Sequence, residues 1–121
     1  MTQFLEIVHV VALHDQEAPP SLIDHGKLES AVGQVSQTWG GEYLYATLVE
    51  QAAVLLFGVC AAHAFADGNK RTAWLACTTF LEVNGVELVE IEQREVEDFV
   101  ASVVEDHLAI ADVVDWLLDR I

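Results

Sequence analysis

The ten residues His63-Ala-Phe-Ala-Asp-Gly-Asn-Lys-Arg-Thr72 contain the most varied group of chemically active side chains in this sequence. Long apolar segments with helical periodicity lie on both sides of this stretch, which we call the motif, so it is expected to join two helices. Only five lysines and arginines occur in the whole chain, and two of them are adjacent here. The motif is therefore the first candidate for a functional site.

The second half of the motif has the composition of a phosphate-binding site. Asp67-Gly68-Asn69 is typical of the start of a helix, where Asp or Asn can cap the helix and Gly allows close approach of the backbone. Free N–H groups and a partial positive charge in the first helical turn favour an anion. Lys70 and Arg71 add two full charges there. This pattern predicts a phosphate site formed by the backbone at Gly68 and the side chains of Lys70 and Arg71.

The first half of the motif adds groups suited to catalysis. A histidine side chain can gain or lose a proton near neutral pH, so His63 is a candidate to accept a proton from an attacking hydroxyl group. Asp67 offers an oxygen ligand to a Mg²⁺ ion that phosphates and water otherwise hold. Phe65 is expected to point into the core. The residues alone leave a simpler alternative open, namely an ordinary turn and helix start with a solvated Lys70-Arg71 pair.

Composition limits the classes of protein to consider. With 121 residues, 53% of them hydrophobic, the chain is expected to form one domain over 1–121 with a core that needs no disulfide or metal. The net charge of −15 opposes binding to nucleic acid. The most apolar run, Ala52–Ala62, is shorter than the roughly 20 residues that span a bilayer. We therefore expect a cytoplasmic protein without a membrane anchor, with Cys60 and Cys77 as free thiols in the core.

Helical periodicity dominates the chain and predicts an all-α fold. The predicted helices are Phe4–Asp15, Ser21–Val32, Ala46–Ala62, Asn69–Val83, Glu92–Asp106 and Leu108–Ile121. The two helices beside the motif are apolar enough to occupy the centre of a bundle. Asp24 is a candidate N-cap of the second helix.

Three details of this helical pattern are less determined. In the first helix, the spacing of residues 5, 8 and 12 predicts a buried stripe of Leu5, Val8 and Ala12, widened by Ile7, Val10 and Val11. In Trp39–Tyr45, the Gly40-Gly41 pair permits a small hairpin or flap, or a loop whose Trp and Tyr cover the core. Val86–Ile91 is either a short strand or an extended link.

The motif, written as His63-x-Phe-x-Asp-Gly-Asn-Lys-Arg-Thr-Ala73, resembles the signature of the Fic/Doc family, specifically its Doc (death-on-curing toxin) branch. Segments outside the motif are also similar to Doc-like proteins. They are Leu13–Asp15, Gly26–Ala31, Phe80–Gly85 and Val113–Leu117. The resemblance covers nearly the whole chain and implies a compact Fic/Doc-like helical bundle.

The resemblance also implies an activity. Fic proteins proper have glycine at the position of Lys70 and transfer AMP, whereas the Doc branch has lysine and transfers the γ-phosphate of ATP with Mg²⁺. The implied target is a threonine of elongation factor Tu, so that translation is inhibited. His63 would be the catalytic base, Asp67 the Mg²⁺ ligand, and Gly68 to Arg71 the phosphate-binding residues. Trp39, Gly40, Gly41 and Tyr43 would form the flap that docks the target.

Two departures from the family pattern bear on regulation and activity. Ala64 replaces the proline that follows the histidine in Fic proteins. Some family members carry an inhibitory motif, Ser/Thr-x-x-x-Glu-Gly/Asn. Here Thr78-x-x-x-Glu82 is followed by Val83, so that motif is absent. A separate antitoxin protein is therefore the expected inhibitor. Two alternatives to a Doc-like kinase remain open for the function of this chain: a Fic-type AMP transferase and a catalytically degenerate binding module.

Overall fold

Six helices and one small hairpin make up the computed structural model, which describes residues 1–121. The elements are α1 (Ile7–Glu17), α2 (His25–Gln34), β1 (Thr38–Trp39), β2 (Glu42–Tyr43), α3 (Leu48–Ala62), α4 (Asn69–Val83), α5 (Gln93–Glu105) and α6 (Ile110–Leu118). The predicted all-α fold is confirmed, and the predicted range of α4 is correct at both ends. None of the helices combines the length and the apolar composition required to cross a lipid bilayer.

Helix α3 lies at the centre of the bundle and packs against α2, α4, α5 and α6. Its residues from Gln51 to Leu56 are all buried, as expected for a helix that is apolar on nearly every side. The side chain of Thr47 caps its start by accepting a hydrogen bond from the backbone N–H of Glu50 at 3.1 Å. The prediction of two central helices joined by the motif is confirmed.

The buried stripe predicted for the first helix is confirmed at residues 5, 7, 10 and 11 and wrong at residues 8 and 12. Val8 is 61% exposed and Ala12 is also exposed, whereas Val10 and His14 are buried. Apolar residues occur around most of the circumference of α1, so periodicity alone does not select a face. Packing of α1 against α4 selects the line through Val10 and His14, one helical turn apart.

Helix α2 begins later than predicted, at His25, because the residues before it have other hydrogen-bond partners. The backbone N–H of Ile23 donates to the carbonyl of Ala64 at 2.8 Å, and the N–H of Ala66 donates to the carbonyl of Ser21 at 3.0 Å. Residues 21–24 are thus extended alongside the motif instead of helical. Asp24 caps α2 as predicted and accepts a hydrogen bond from the N–H of Lys27 at 3.0 Å.

Of the two alternatives for residues 39–45, the structure shows the hairpin, with Thr38 opposite Tyr43 and Trp39 opposite Glu42. Gly40 and Gly41 have φ angles of +60° and +86°, which glycine adopts without steric cost. Trp39 is 81% exposed, so it does not cover the core. Residues 86–91 form an extended link without strand pairing, held where the N–H of Val89 donates to the carbonyl of Arg120 at 2.7 Å.

Both cysteines are free, buried thiols, as predicted. Burial raises the pKa of Cys77 to about 12, and the neighbouring Cys60 adds to the rise. Burial also raises the pKa of Cys60, to about 11, although nearby Lys70 opposes part of that rise by favouring the thiolate. Neither thiol has the low pKa of a nucleophilic cysteine.

The assignment of the α1 face can be tested with two equivalent substitutions. Val10→Ala removes buried methyl groups and should lower the free energy of unfolding by about 2 kcal/mol. Val8→Ala removes the same groups from a largely exposed side chain and should change it by less than about 0.5 kcal/mol. Urea unfolding followed by circular dichroism measures both, and equal effects would contradict the observed face.

The raised pKa values predict low thiol reactivity in the folded protein. Because the thiolate is the reactive form, both cysteines should react with iodoacetamide much more slowly at pH 8 than in urea, where the pKa returns to its ordinary value. Raising the pH towards 11 should accelerate modification of Cys60 before Cys77. Peptide mass spectrometry after timed labelling identifies the modified residue, and rapid labelling of Cys77 at pH 8 would refute its burial.

Candidate functional site

The loop between α3 and α4 begins and ends with left-handed backbone conformations. His63 ends α3 with φ +46°, and Gly68 precedes α4 with φ +80°. Glycine adopts this conformation readily, but at a histidine it costs on the order of 1 kcal/mol or more. The turn at His63 leaves its side chain exposed beside the start of α4. Strained non-glycine residues of this kind concentrate at functional sites.

The side chain of Asn69 holds the loop in this shape. Its Oδ1 accepts a hydrogen bond from the N–H of Phe65 at 3.0 Å, and its Nδ2 donates to the carbonyl of Phe65 at 2.8 Å. Asn69 is buried, and Phe65 is fully buried in the core as predicted. The amide group of Asn69 is therefore engaged with the protein backbone. Phosphate binding by Asn69 stays a prediction, and its backbone N–H is the group positioned for it.

The start of α4 offers several such N–H groups. The first backbone N–H of α4 with a partner in the chain is that of Thr72, which donates to the carbonyl of Gly68 at 3.0 Å. The N–H groups of Asn69, Lys70 and Arg71 form no hydrogen bond within the chain. They are the unpaired donors of a helix N-terminus, and such donors bind anions.

His14 was not among the predicted site residues, yet it contacts the motif directly. Its Nε2 lies 2.8 Å from the carbonyl oxygen of Asp67, and its ring stacks on Phe65 with centroids 3.9 Å apart. The sequence feature that points to this segment is the similarity of Leu13–Asp15 to Doc-like proteins. The periodicity of α1 does not select the face on which His14 lies, so the contact itself could not be predicted from local sequence.

A cleft of about 1210 Å³ contains all the residues of the predicted chemical site. Its floor includes His63, Asp67, Gly68, Asn69, Lys70 and Arg71. Helix α1 contributes His14 and Glu17 to its wall, and α5 contributes a mixed apolar and acidic surface that includes Val100, Val104 and Glu105. The flap residues Trp39, Gly40, Gly41 and Tyr43 do not line this cleft, so any contact they make with a target would lie outside it.

The two basic side chains of the motif have different surroundings. Lys70 Nζ lies 3.7 Å from Oε1 of Glu105 across the cleft, and both side chains are largely exposed. Exposed ion pairs of this kind contribute about 1 kcal/mol or less, so a phosphate can replace the carboxylate at little cost. Arg71 is exposed and forms no ion pair within the chain, which leaves its guanidinium group available for a ligand.

Asp67 has the position expected of a ligand for a phosphate-bound Mg²⁺ ion. Its side chain is exposed in the cleft, and Oδ1 accepts a hydrogen bond from the N–H of Gly68 at 2.8 Å, which orients the carboxylate. No group of three or more His, Cys, Asp or Glu side chains is close enough to hold a metal ion alone. A single carboxylate fits the coordination of Mg²⁺, which retains waters and takes further oxygens from substrate phosphates.

Sequence comparisons relate this chain to known proteins. The sequence model of the Fic/DOC family matches residues 3–81, which include the entire motif and both central helices up to Leu81. The chain is similar to Toxin Doc of Mycolicibacterium smegmatis, with 48% identity over 65 residues, covering 54% of this chain and 50% of that protein. It is also similar to Protein kinase doc of Escherichia phage P1, with 29% identity over 113 residues, covering 89% of this chain and 87% of that protein.

The chain thus spans about half the length of its M. smegmatis relative and most of the length of its phage relative. The family match covers more than half of this chain and includes all the predicted site residues of the motif, from His63 to Arg71. This chain belongs to the Fic/DOC family.

Proposed function

We propose that this chain is a Doc-like toxin that transfers the γ-phosphate of ATP to a hydroxyl group of a target protein. The observation that carries the proposal is the arrangement in one cleft of an exposed histidine, an exposed carboxylate, unpaired N–H groups and two cations. The name of the phage P1 relative, Protein kinase doc, supports phosphate transfer as the reaction. The name of the M. smegmatis relative supports the role of toxin.

In the proposed reaction, the target hydroxyl oxygen attacks the γ-phosphorus of ATP. A bond forms between that oxygen and phosphorus, the bond from phosphorus to the β–γ bridging oxygen breaks, and ADP leaves. His63 accepts the proton of the attacking hydroxyl group. Its exposed ring at the C-terminus of α3 is not engaged in any hydrogen bond within the chain, so it is available for this role.

In this proposal, the start of α4 binds the phosphates of ATP and stabilises their negative charge. The N–H groups of Asn69, Lys70 and Arg71 point out of the first helical turn, and the side chains of Lys70 and Arg71 add charge around the phosphates. Asp67 would hold Mg²⁺, which would neutralise negative charge on the phosphate oxygens. Catalysis of phosphate transfer consists mainly of such positioning and electrostatic stabilisation.

Lys70 is the residue that favours γ-phosphate transfer over AMP transfer. A lysine side chain takes up space and adds charge where glycine would leave room for the α-phosphate of a nucleotide bound in the other orientation.

The target is proposed to be a threonine of elongation factor Tu, on the basis of the resemblance to the Doc branch. A separate antitoxin is the proposed inhibitor, because Val83 follows Thr78-x-x-x-Glu82 and the inhibitory motif of some family members is therefore incomplete here.

Radioactive ATP labelled at one phosphate distinguishes the two reactions. Purified protein incubated with elongation factor Tu should transfer label from γ-labelled ATP and not from α-labelled ATP. Mass spectrometry of the target should show an added phosphate. Incorporation of the α-label, with an AMP adduct, would instead establish a Fic-type AMP transferase.

Substitution of the proposed base should abolish transfer. We expect His63→Ala to lower the rate of γ-phosphate transfer by at least about 100-fold, the usual contribution of a general base. His25→Ala is the matched control, because His25 is an exposed histidine outside the cleft, and it should leave the rate unchanged. Equal rates for His63→Ala and the wild type would refute the proposed mechanism, as would equal toxicity on expression in bacteria.

Substitution of Lys70 tests its contribution to γ-phosphate transfer. Lys70→Gly should lower γ-phosphate transfer by about tenfold or more, because it removes a cation that contacts the phosphates. Lys27→Gly removes an exposed lysine from the first turn of α2, outside the cleft, and controls for the helix-weakening effect of glycine. If both variants retain wild-type rates, Lys70 does not act on the transferred phosphate.

A further inference from the structure

We propose that His14 is a positioning residue that holds Asp67 in the orientation required for binding of Mg²⁺ with nucleotide. This inference rests on the proposed function, since it assigns a supporting residue to the same site. His14 is one of four buried polar side chains in the protein and is only 1% exposed. Fifty-three positions separate it from Asp67 along the chain, so the contact between them exists only in the folded protein.

The contact between His14 and Asp67 is a hydrogen bond of defined direction. Because the carbonyl oxygen of Asp67 can only accept, Nε2 of His14 carries the hydrogen and donates it across 2.8 Å. No backbone N–H in the chain donates to this carbonyl. The hydroxyl of Ser21 lies farther from Nε2, at 3.4 Å. His14 therefore supplies the hydrogen bond that satisfies the Asp67 carbonyl, which would otherwise lose a partner on folding.

The ring of His14 is held in place on three sides. It stacks on Phe65 with an interplanar angle of 5° and a centroid distance of 3.9 Å. Oδ1 of Asp15, which like the Asp67 carbonyl can only accept a hydrogen bond, lies 2.9 Å from Nδ1 at the opposite edge of the ring, so both ring nitrogens face acceptors. A Cβ atom placed on Gly68 would lie 3.5 Å from the ring, so the ring is packed directly against the backbone of the motif. A side chain fixed in this way can determine the position of the group to which it donates.

The position of the Asp67 backbone determines the position of its carboxylate. Oδ1 of Asp67 accepts a hydrogen bond from the N–H of the following residue, Gly68, so the carboxylate turns with the peptide between them. His14 bonds to the carbonyl of that same peptide. The chain of contacts thus runs from Asp15 through His14 and the Asp67–Gly68 peptide to the exposed carboxylate. Groups that orient a metal ligand in this way commonly change metal affinity by about 10- to 100-fold when they are removed.

Two substitutions of His14 separate its hydrogen bond from its packing. His14→Phe retains an aromatic ring against Phe65 but has no donor for the Asp67 carbonyl. His14→Gln loses the stacking, and its Nε2 can still donate to that carbonyl. For each variant, calorimetry measures the affinity for a non-hydrolysable ATP analogue, once with Mg²⁺ and once with EDTA. The ratio of these two affinities is then compared between variants. Thermal unfolding of each variant reports stability separately.

We expect His14→Phe to reduce the Mg²⁺-dependent ratio by about tenfold or more, and His14→Gln to recover most of the wild-type ratio. Asp15→Asn changes a partly exposed side chain, so it should fold normally and reduce the ratio by a smaller factor. A purely structural role of His14 would lower the thermal midpoint and weaken both affinities together, leaving the ratio unchanged. An unchanged ratio in His14→Phe, or in Asp15→Asn if His14→Phe does not fold, would overturn the inference.

Asp67→Asn distinguishes failure of this inference from failure of the proposed function. If Asp67→Asn abolishes the Mg²⁺ dependence and the His14 variants do not reduce it, Asp67 holds the metal without help from His14. If Mg²⁺ does not strengthen binding to the wild type, or Asp67→Asn retains the effect, the proposed role of Asp67 is wrong and the inference falls with it.

Discussion

The two hydrogen bonds between the Asn69 side chain and the backbone of Phe65 determine the shape of the loop on which the site depends. They tie the first residue of α4 to the middle of the loop that follows α3. Phe65 can then enter the core while the flanking residues His63 and Asp67 remain exposed. A buried amide that pairs with both backbone groups of one residue leaves neither partner unsatisfied. The same interaction that folds the loop therefore exposes the catalytic candidates.

This loop is also held from outside the two central helices. Residues 21–24 run antiparallel to the loop, and Leu22 forms an isolated β-bridge with Phe65. On the other side, His14 of α1 reaches the carbonyl of Asp67. The loop is thus enclosed by the N-terminal third of the chain, and α1 and α2 are part of the framework of the site. Exposed residues in a loop of this kind can be held as precisely as residues in a helix.

Charge distribution adds selectivity to this framework. The chain carries a net charge of −15, so most of its surface repels an anionic ligand. The start of α4 is the exception, because Lys70, Arg71 and the unpaired N–H groups converge there. The influence of Lys70 extends inward to Cys60, where it opposes the rise of the thiol pKa. Positive charge is therefore concentrated at the start of α4, in a cleft that also carries acidic side chains such as Asp67 and Glu105.

The sequence alone determined the helices and the chemistry of the motif. The apolar segments on both sides of the motif predicted α3 and α4, and the range of α4 was correct, because local periodicity and the Gly68-Asn69 start encode it without distant contacts. His63, Asp67, Lys70 and Arg71 all lie in the motif, and their grouping in one short stretch of sequence indicated a phosphate site. Residues close in sequence at the start of a helix are necessarily close in space.

Which surfaces of those helices meet depends on their arrangement in the folded protein. The buried face of α1 passes through Val10 and His14 instead of Val8, because packing on α4 selects among several apolar faces. Residues 21–24 are extended instead of helical, because their backbone groups form hydrogen bonds with Ala64 and Ala66 of the distant motif loop. The Asn69 and His14 contacts have the same origin. Pairings between distant residues depend on how the helices are arranged, and local sequence carries no direct record of that arrangement.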